Sequence, residues 1–232
     1  MLGVRRLPAS ERTMPSIDKL TVSVFYYNTE VAPSNQPREI AERCLAEITL
    51  LGEQLTIISH QLSKALAQKE IEDVGRLCHF HYENLLFRIY ALRERAWDVL
   101  AALTDIPRRT TGNDKFRADV LSRVKAAHPE LSNAFTAVLN LIDSDVEFRN
   151  VATHKTILML GLMREETQDI WEFDSVLLDF DPRSEDGIKM RKLAWRSLRE
   201  FVVQQRQHIQ EIFDTAFEFS KECDSSIRKK RW

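Results

Sequence analysis

Between about residues 38 and 68, Leu45, Ile48, Leu51, Leu55, Ile58, Leu62 and Leu66 recur at steps of three and four. That period lines one face of a long helix and leaves the other face polar. From about 71 to 104 the spacing is cleaner: Leu85, Ile89, Leu92, Ala96, Val99 and Leu103 alternate steps of four and three, the period of a bundle seam. Pro107, Gly112 and Asn113 break the pattern, a short helix fits 114–127, and Pro129 stands where it can open the next. A final helix from about 186 to 221 puts Trp195, Leu198, Val202, Ile209, Ile212, Ala216 and Phe219 on one stripe, with Gln205 a polar exception.

Each of these helices has a single apolar face to bury, and the layer solution for such elements is an antiparallel bundle. The expectation is an all-α fold of four to five helices spanning 38–222. Residues 1–37, with Pro8, Pro15, Pro33 and Pro37 around one extended stretch, Leu20–Tyr27, read as an irregular arm. The segment 157–183 reads as a small insertion, since its apolar run Ile157–Met163 fits a helix extension or a hairpin. Residues 223–232, ending in Arg228-Lys229-Lys230-Arg231, read as a basic tail, solvated or in contact with nucleic acid.

Composition adds limits rather than direction. The chain has 232 residues, 44% hydrophobic and 29% charged, with few glycines and prolines, which suits a globular helical protein. A formal charge of -2 gives no global attraction to nucleic acid, so RNA contact would need a local basic patch. Cys44, Cys78 and Cys223 are odd in number and far apart, which suggests neither a disulfide framework nor a thiolate zinc site and fits a reducing cytoplasm. No apolar run approaches the ~20 residues of a membrane span, and the N-terminal region lacks the apolar core of a signal peptide. A cytoplasmic protein without membrane contact is expected.

Several chemistries find no residues. No Glu stands three before a His, as a di-iron bundle requires, and GxxxxGK[ST], GxGxxG and GxSxG are absent. His79 and His81, two apart, point to nearly opposite sides of a helix and cannot share an ion. No metal or cofactor is expected.

One segment stands apart: Phe148-Arg149-Asn150-Val151-Ala152-Thr153-His154. The Arg-x4-His spacing alone identifies nothing, because Arg76 with His81 and Arg123 with His128 share it; only Arg149 is followed by Asn. The stripe Leu131, Phe135, Val138 and Ile142 continues at the same steps onto Asp145 and Arg149, so the buried face turns polar where the segment begins. Charges on such a face must be paired or placed at a wet cleft. An Asp145–Arg149 helix pair is the structural explanation; a site is the functional one. On an ideal helix Asn150 and His154 share a face, whereas Arg149 and His154 diverge by roughly 140°. To focus all three, either the helix frays near Thr153 or two copies meet across a two-fold interface.

Arg149-Asn150 after an apolar residue, with His154 following on a late helix of an all-helical chain, resembles the signature of HEPN ribonucleases. The likeness is specific over about seven residues and general over 38–222. It implies a homodimer in which two motifs face each other and RNA is cut without metal by attack of the ribose 2′-hydroxyl on the adjacent phosphate. It also implies catalytic roles: His154 as general acid or base, Arg149 holding the phosphate, and Asn150 positioning phosphate or imidazole. A cognate antitoxin protein is a further implied partner. Many members carry an aromatic residue soon after the histidine; here Lys155, Thr156 and Ile157 follow, which leaves the subfamily and substrate open. Some members are non-catalytic, and the competing reading is a helical RNA-binding or protein-interaction scaffold.

Overall fold

A computed structural model describes residues 36–106, 114–154, 181 and 183–232. All its regular structure is helical: α1 (Pro37–Ala65), α2 (Ile71–Leu103), α3 (Asp114–Ala127), α4 (Pro129–His154) and α5 (Glu185–Lys229). The extended stretch 20–27, the rest of the N-terminal arm to 35 and almost all of the expected insertion lie outside the described residues.

The helix limits follow local chemistry. Pro37 opens α1 at a position whose N–H has no intrahelical partner. Ser184 caps α5, its hydroxyl accepting from the Gly187 N–H at 3.0 Å and donating to the Asp181 carbonyl at 2.7 Å. That turn is tight: a Cβ on Gly187 would sit 2.1 Å from the Asp181 oxygen, so only glycine fits.

α1, α2, α4 and α5 form the bundle, with α1 and α4 each packed against both α2 and α5. Directions follow from side-chain pairs. Trp97 meets Phe135 at 4.7 Å between ring centroids while Arg149 lies over Tyr90, so α2 and α4 run antiparallel. Phe135 meets Phe219 and Asp145 meets His208, so α4 and α5 are antiparallel too. Glu72 with Arg191, Tyr82 with Phe201 and Leu103 with Lys230 make α2 and α5 the parallel diagonal pair.

The stripes predicted from periodicity are the core. Leu45, Ile48, Leu51, Leu55, Ile58 and Leu62 of α1 are buried against Leu85, Ile89, Leu92, Ala96, Val99 and Leu103 of α2 and Leu198, Val202, Ile209, Ile212, Ala216 and Phe219 of α5. Each buried Leu, Ile, Val or Phe among them contributes about 1.5–3 kcal/mol relative to an exposed one. Trp195 departs from its predicted place: Ala194 takes the seam position, and the indole lies half-buried at the flank with Arg199 over it at 5.6 Å.

The C-terminal end is a clear correction. α5 runs to Lys229 rather than ending near 221, so 223–229 is helix rather than tail, while Arg228, Lys229 and Arg231 are exposed. Cys223, Ser226 and Ile227 extend the buried stripe from Phe219 at steps of three and four. Lys230 donates to the carbonyls of Leu103 at 2.8 Å and Ala102 at 3.3 Å and pairs with Asp105 at 2.7 Å. A cation at the last turn of α2 satisfies carbonyls that have no intrahelical donor and complements the negative end of the helix dipole. Arg123 of α3 caps the same end, donating to the Thr104 carbonyl.

Candidate functional site around Arg149

The buried face of α4 begins with Leu131, Phe135, Val138 and Ile142, each nearly inaccessible, and continues one step onto Asp145, 3% exposed. A carboxylate at such a position needs a partner. It has one from another helix: His208 of α5, whose Nε2 lies 2.7 Å from Asp145 Oδ2. With the carboxylate as acceptor, the matching tautomer is the one in which Nε2–H donates and Nδ1 carries the ring lone pair.

One turn further along α4, Arg149 is half-buried with its guanidinium carbon 4.1 Å from the centre of the Tyr90 ring and 5.5 Å from that of Phe87. A guanidinium stacked on aromatic rings is attracted to their electron-rich faces, an effect of roughly 0.5–2 kcal/mol depending on desolvation. Nε of Arg149 is buried, so a phosphate or carboxylate would have to be met by the terminal N–H groups. The Phe87 ring remains 44% exposed beside it.

Of the three predicted site residues, Arg149 is placed with its side chain. The side chains of Asn150 and His154 lie outside the described residues. The backbone is helical through His154, so α4 does not fray at Thr153 and positions 149 and 154 diverge by roughly 140° about one helix axis. Residues 155–180, which follow the motif, are not described.

Sequence reasoning missed His208. The signal was faint: position 208 adjoins Ile209 on the α5 stripe, one turn from the polar exception Gln205, whose Oε1 is buried without a hydrogen-bond partner among the described residues. Nothing in the chain's linear order joins residue 208 to residue 145.

The remaining titratable groups offer less. His79 Nε2 lies 3.1 Å from Glu83 and His81 meets the edge of Phe80, which makes them helix-face residues with separate partners. Burial pushes the thiols up, Cys44 to about 12 with Asp98 and Glu47 adding to the effect, Cys78 to about 11 and Cys223 well above its ordinary value. They stay protonated, and a thiol that does not ionise is neither nucleophile nor ligand. Among the described residues no group of three or more His, Cys, Asp or Glu is placed to hold a metal ion. No helix among them is long and apolar enough to cross a membrane. Comparison with family models, with curated proteins and with solved structures found no match.

Proposed function

We propose that this chain is a metal-independent endoribonuclease of HEPN type, acting as a homodimer on RNA through Arg149, Asn150 and His154. The observation that carries the reading is Arg149 itself: a cation set by two aromatic rings, one turn beyond the buried carboxylate of Asp145 on α4. A group held in this way can meet a phosphate without losing much side-chain freedom on binding. In the reaction a base removes the 2′-hydroxyl proton, the 2′-oxygen attacks phosphorus, the bond from phosphorus to the 5′-oxygen breaks, and an acid protonates that oxygen. The products are a 2′,3′-cyclic phosphate and a 5′-hydroxyl. Arg149 neutralises the charge that builds on the phosphoryl oxygens, Asn150 orients the phosphate, and His154 transfers a proton.

The unbroken helix supports a composite site, since positions 149 and 154 of one copy cannot converge and two copies across a two-fold axis can complete one another. Cleavage of an RNA pool in EDTA by the wild type, Arg149→Ala and His154→Ala tests the reading. Activity in the wild type alone, partly regained when the two variants are mixed, is the expected result. A folded wild type without cleavage contradicts it.

A non-catalytic interaction module is the second reading. It is favoured by Phe80 and Phe87, 55% and 44% exposed and seven residues apart on one face of α2. RNA binding without cleavage, unaffected by His154→Ala, would support it. A cognate antitoxin protein fits either reading.

A further inference from the structure

Cutting RNA through its 2′-hydroxyl takes two proton transfers, one from the attacking oxygen and one to the departing oxygen. The Arg149–His154 segment carries one imidazole per copy, and no contact among the described residues sets it against a buried carboxylate that would orient it. His208 is a second, and its setting is that of a working base rather than of a surface histidine.

Three features make the case. Asp145 anchors the ring: its side chain is 4% exposed, and it accepts from Nε2 at 2.7 Å across the α4–α5 contact. A buried carboxylate in that position selects one tautomer, fixes the ring's orientation and stabilises the imidazolium formed when the ring takes up a proton. His208 is also open where Asp145 is closed, its side chain 25% exposed, and Nδ1 has no protein partner among the described residues. Finally, the pair stands beside Arg149. Asp145 and Arg149 are four apart on one face of α4, about 6 Å along its axis, a separation that a ribose and its phosphate can span.

Resting on the ribonuclease reading above, we infer that His208, held by Asp145, is the general base that takes the 2′-hydroxyl proton at Nδ1. His154 then serves as the acid that protonates the departing 5′-oxygen. Asp145 is a positioning residue and does not touch the RNA. The alternative role for the pair is a tie between α4 and α5 with no part in the chemistry.

The test uses the full-length protein with an RNA pool in EDTA and compares the wild type with His208→Asn, His208→Ala and Asp145→Asn, each first shown to be folded by circular dichroism. Loss of kcat by about 10²–10⁴-fold is expected for His208→Asn. Its pH–rate profile loses the acid-side limb, and binding of a 2′-deoxy RNA that cannot be cleaved is unchanged. Added imidazole restores part of the activity of His208→Ala, which a purely structural role would not allow. Should the Asn variant fail to fold, His208→Gln replaces it. A folded His208 variant with wild-type kcat and pH profile overturns the inference while leaving the ribonuclease standing. A folded wild type that does not cleave removes both.

Discussion

The ammonium of Lys230 lies 2.8 Å from the carbonyl oxygen of Leu103, so the last turn of α2 is closed by a residue 127 positions away in the chain. Asp105 adds an ion pair to the same ammonium, although at 60% exposure it is well screened by solvent. The bonds to Leu103 and Ala102 therefore carry most of the effect. Lys230→Met should lower the free energy of unfolding in urea by about 1–2 kcal/mol, while Arg231→Met should change it by less than about 0.5 kcal/mol. Equal effects of the two substitutions would return the C-terminal residues to the status of a solvated tail.

Two glycines should respond to alanine with opposite sign. At Gly187 the added methyl meets the Asp181 carbonyl at 2.1 Å, so the Ser184 cap must open and stability should fall by about 1–3 kcal/mol. At Gly75, within α2, a Cβ meets nothing within 4 Å, and alanine should raise stability by about 0.5–1 kcal/mol through its helix propensity. Thermal denaturation of the two variants decides both, and destabilisation by Gly75→Ala would mean that α2 is packed more closely at its start than described.

His128, at the turn between α3 and α4, is held below its ordinary value of 6.5 by burial and then by the nearby charges of Lys230 and Lys229. The folded protein resists the proton that the unfolded chain accepts. Stability contributed here is complete above pH 6.5 and lost as pH falls from 6.5 towards the lower folded value. His81, lowered by burial, acts with the same sign. Urea titrations across this window should show His128→Gln with a shallower decline than the wild type; a decline of equal steepness would rule out His128 as a contributor.

Cys44, Cys78 and Cys223 are buried and their thiols pushed towards the protonated form. With Ellman's reagent at neutral pH none should react appreciably in the native protein, and all three should react once urea unfolds it. Fast modification of a native thiol would show that one of the core helices opens readily.

The bundle was legible because its helices are long and their apolar residues keep a strict period. On α1, α2 and α5 the predicted stripe and the buried face coincide almost residue for residue, and α4 opens where Pro129 placed its start. Trp195 escaped because periodicity does not decide which of the adjacent Ala194 and Trp195 faces the seam, and the C-terminal end because charge near Cys223 and Ile227 masked a stripe that continues through them. At the site, the change of the α4 face from Ile142 to Asp145 was readable as a place where a partner must exist. Its partner was not, because His208 reaches Asp145 only through the packing of α5 on α4. The stacking of Arg149 on Tyr90 and Phe87 is likewise a product of the α2–α4 contact, which no local pattern encodes.

The central claim is attack by the ribose 2′-hydroxyl under the control of Arg149. It is tested most directly with an RNA oligonucleotide, incubated in EDTA and mapped for its cut site, against the same strand bearing a single 2′-deoxy nucleotide immediately 5′ of that site. The account predicts a 2′,3′-cyclic phosphate from the first strand, loss of that cut in the second, and loss of cleavage of the first by Arg149→Ala. A cut that persists at the 2′-deoxy position, or a folded wild type that leaves the all-ribose strand intact, would contradict it.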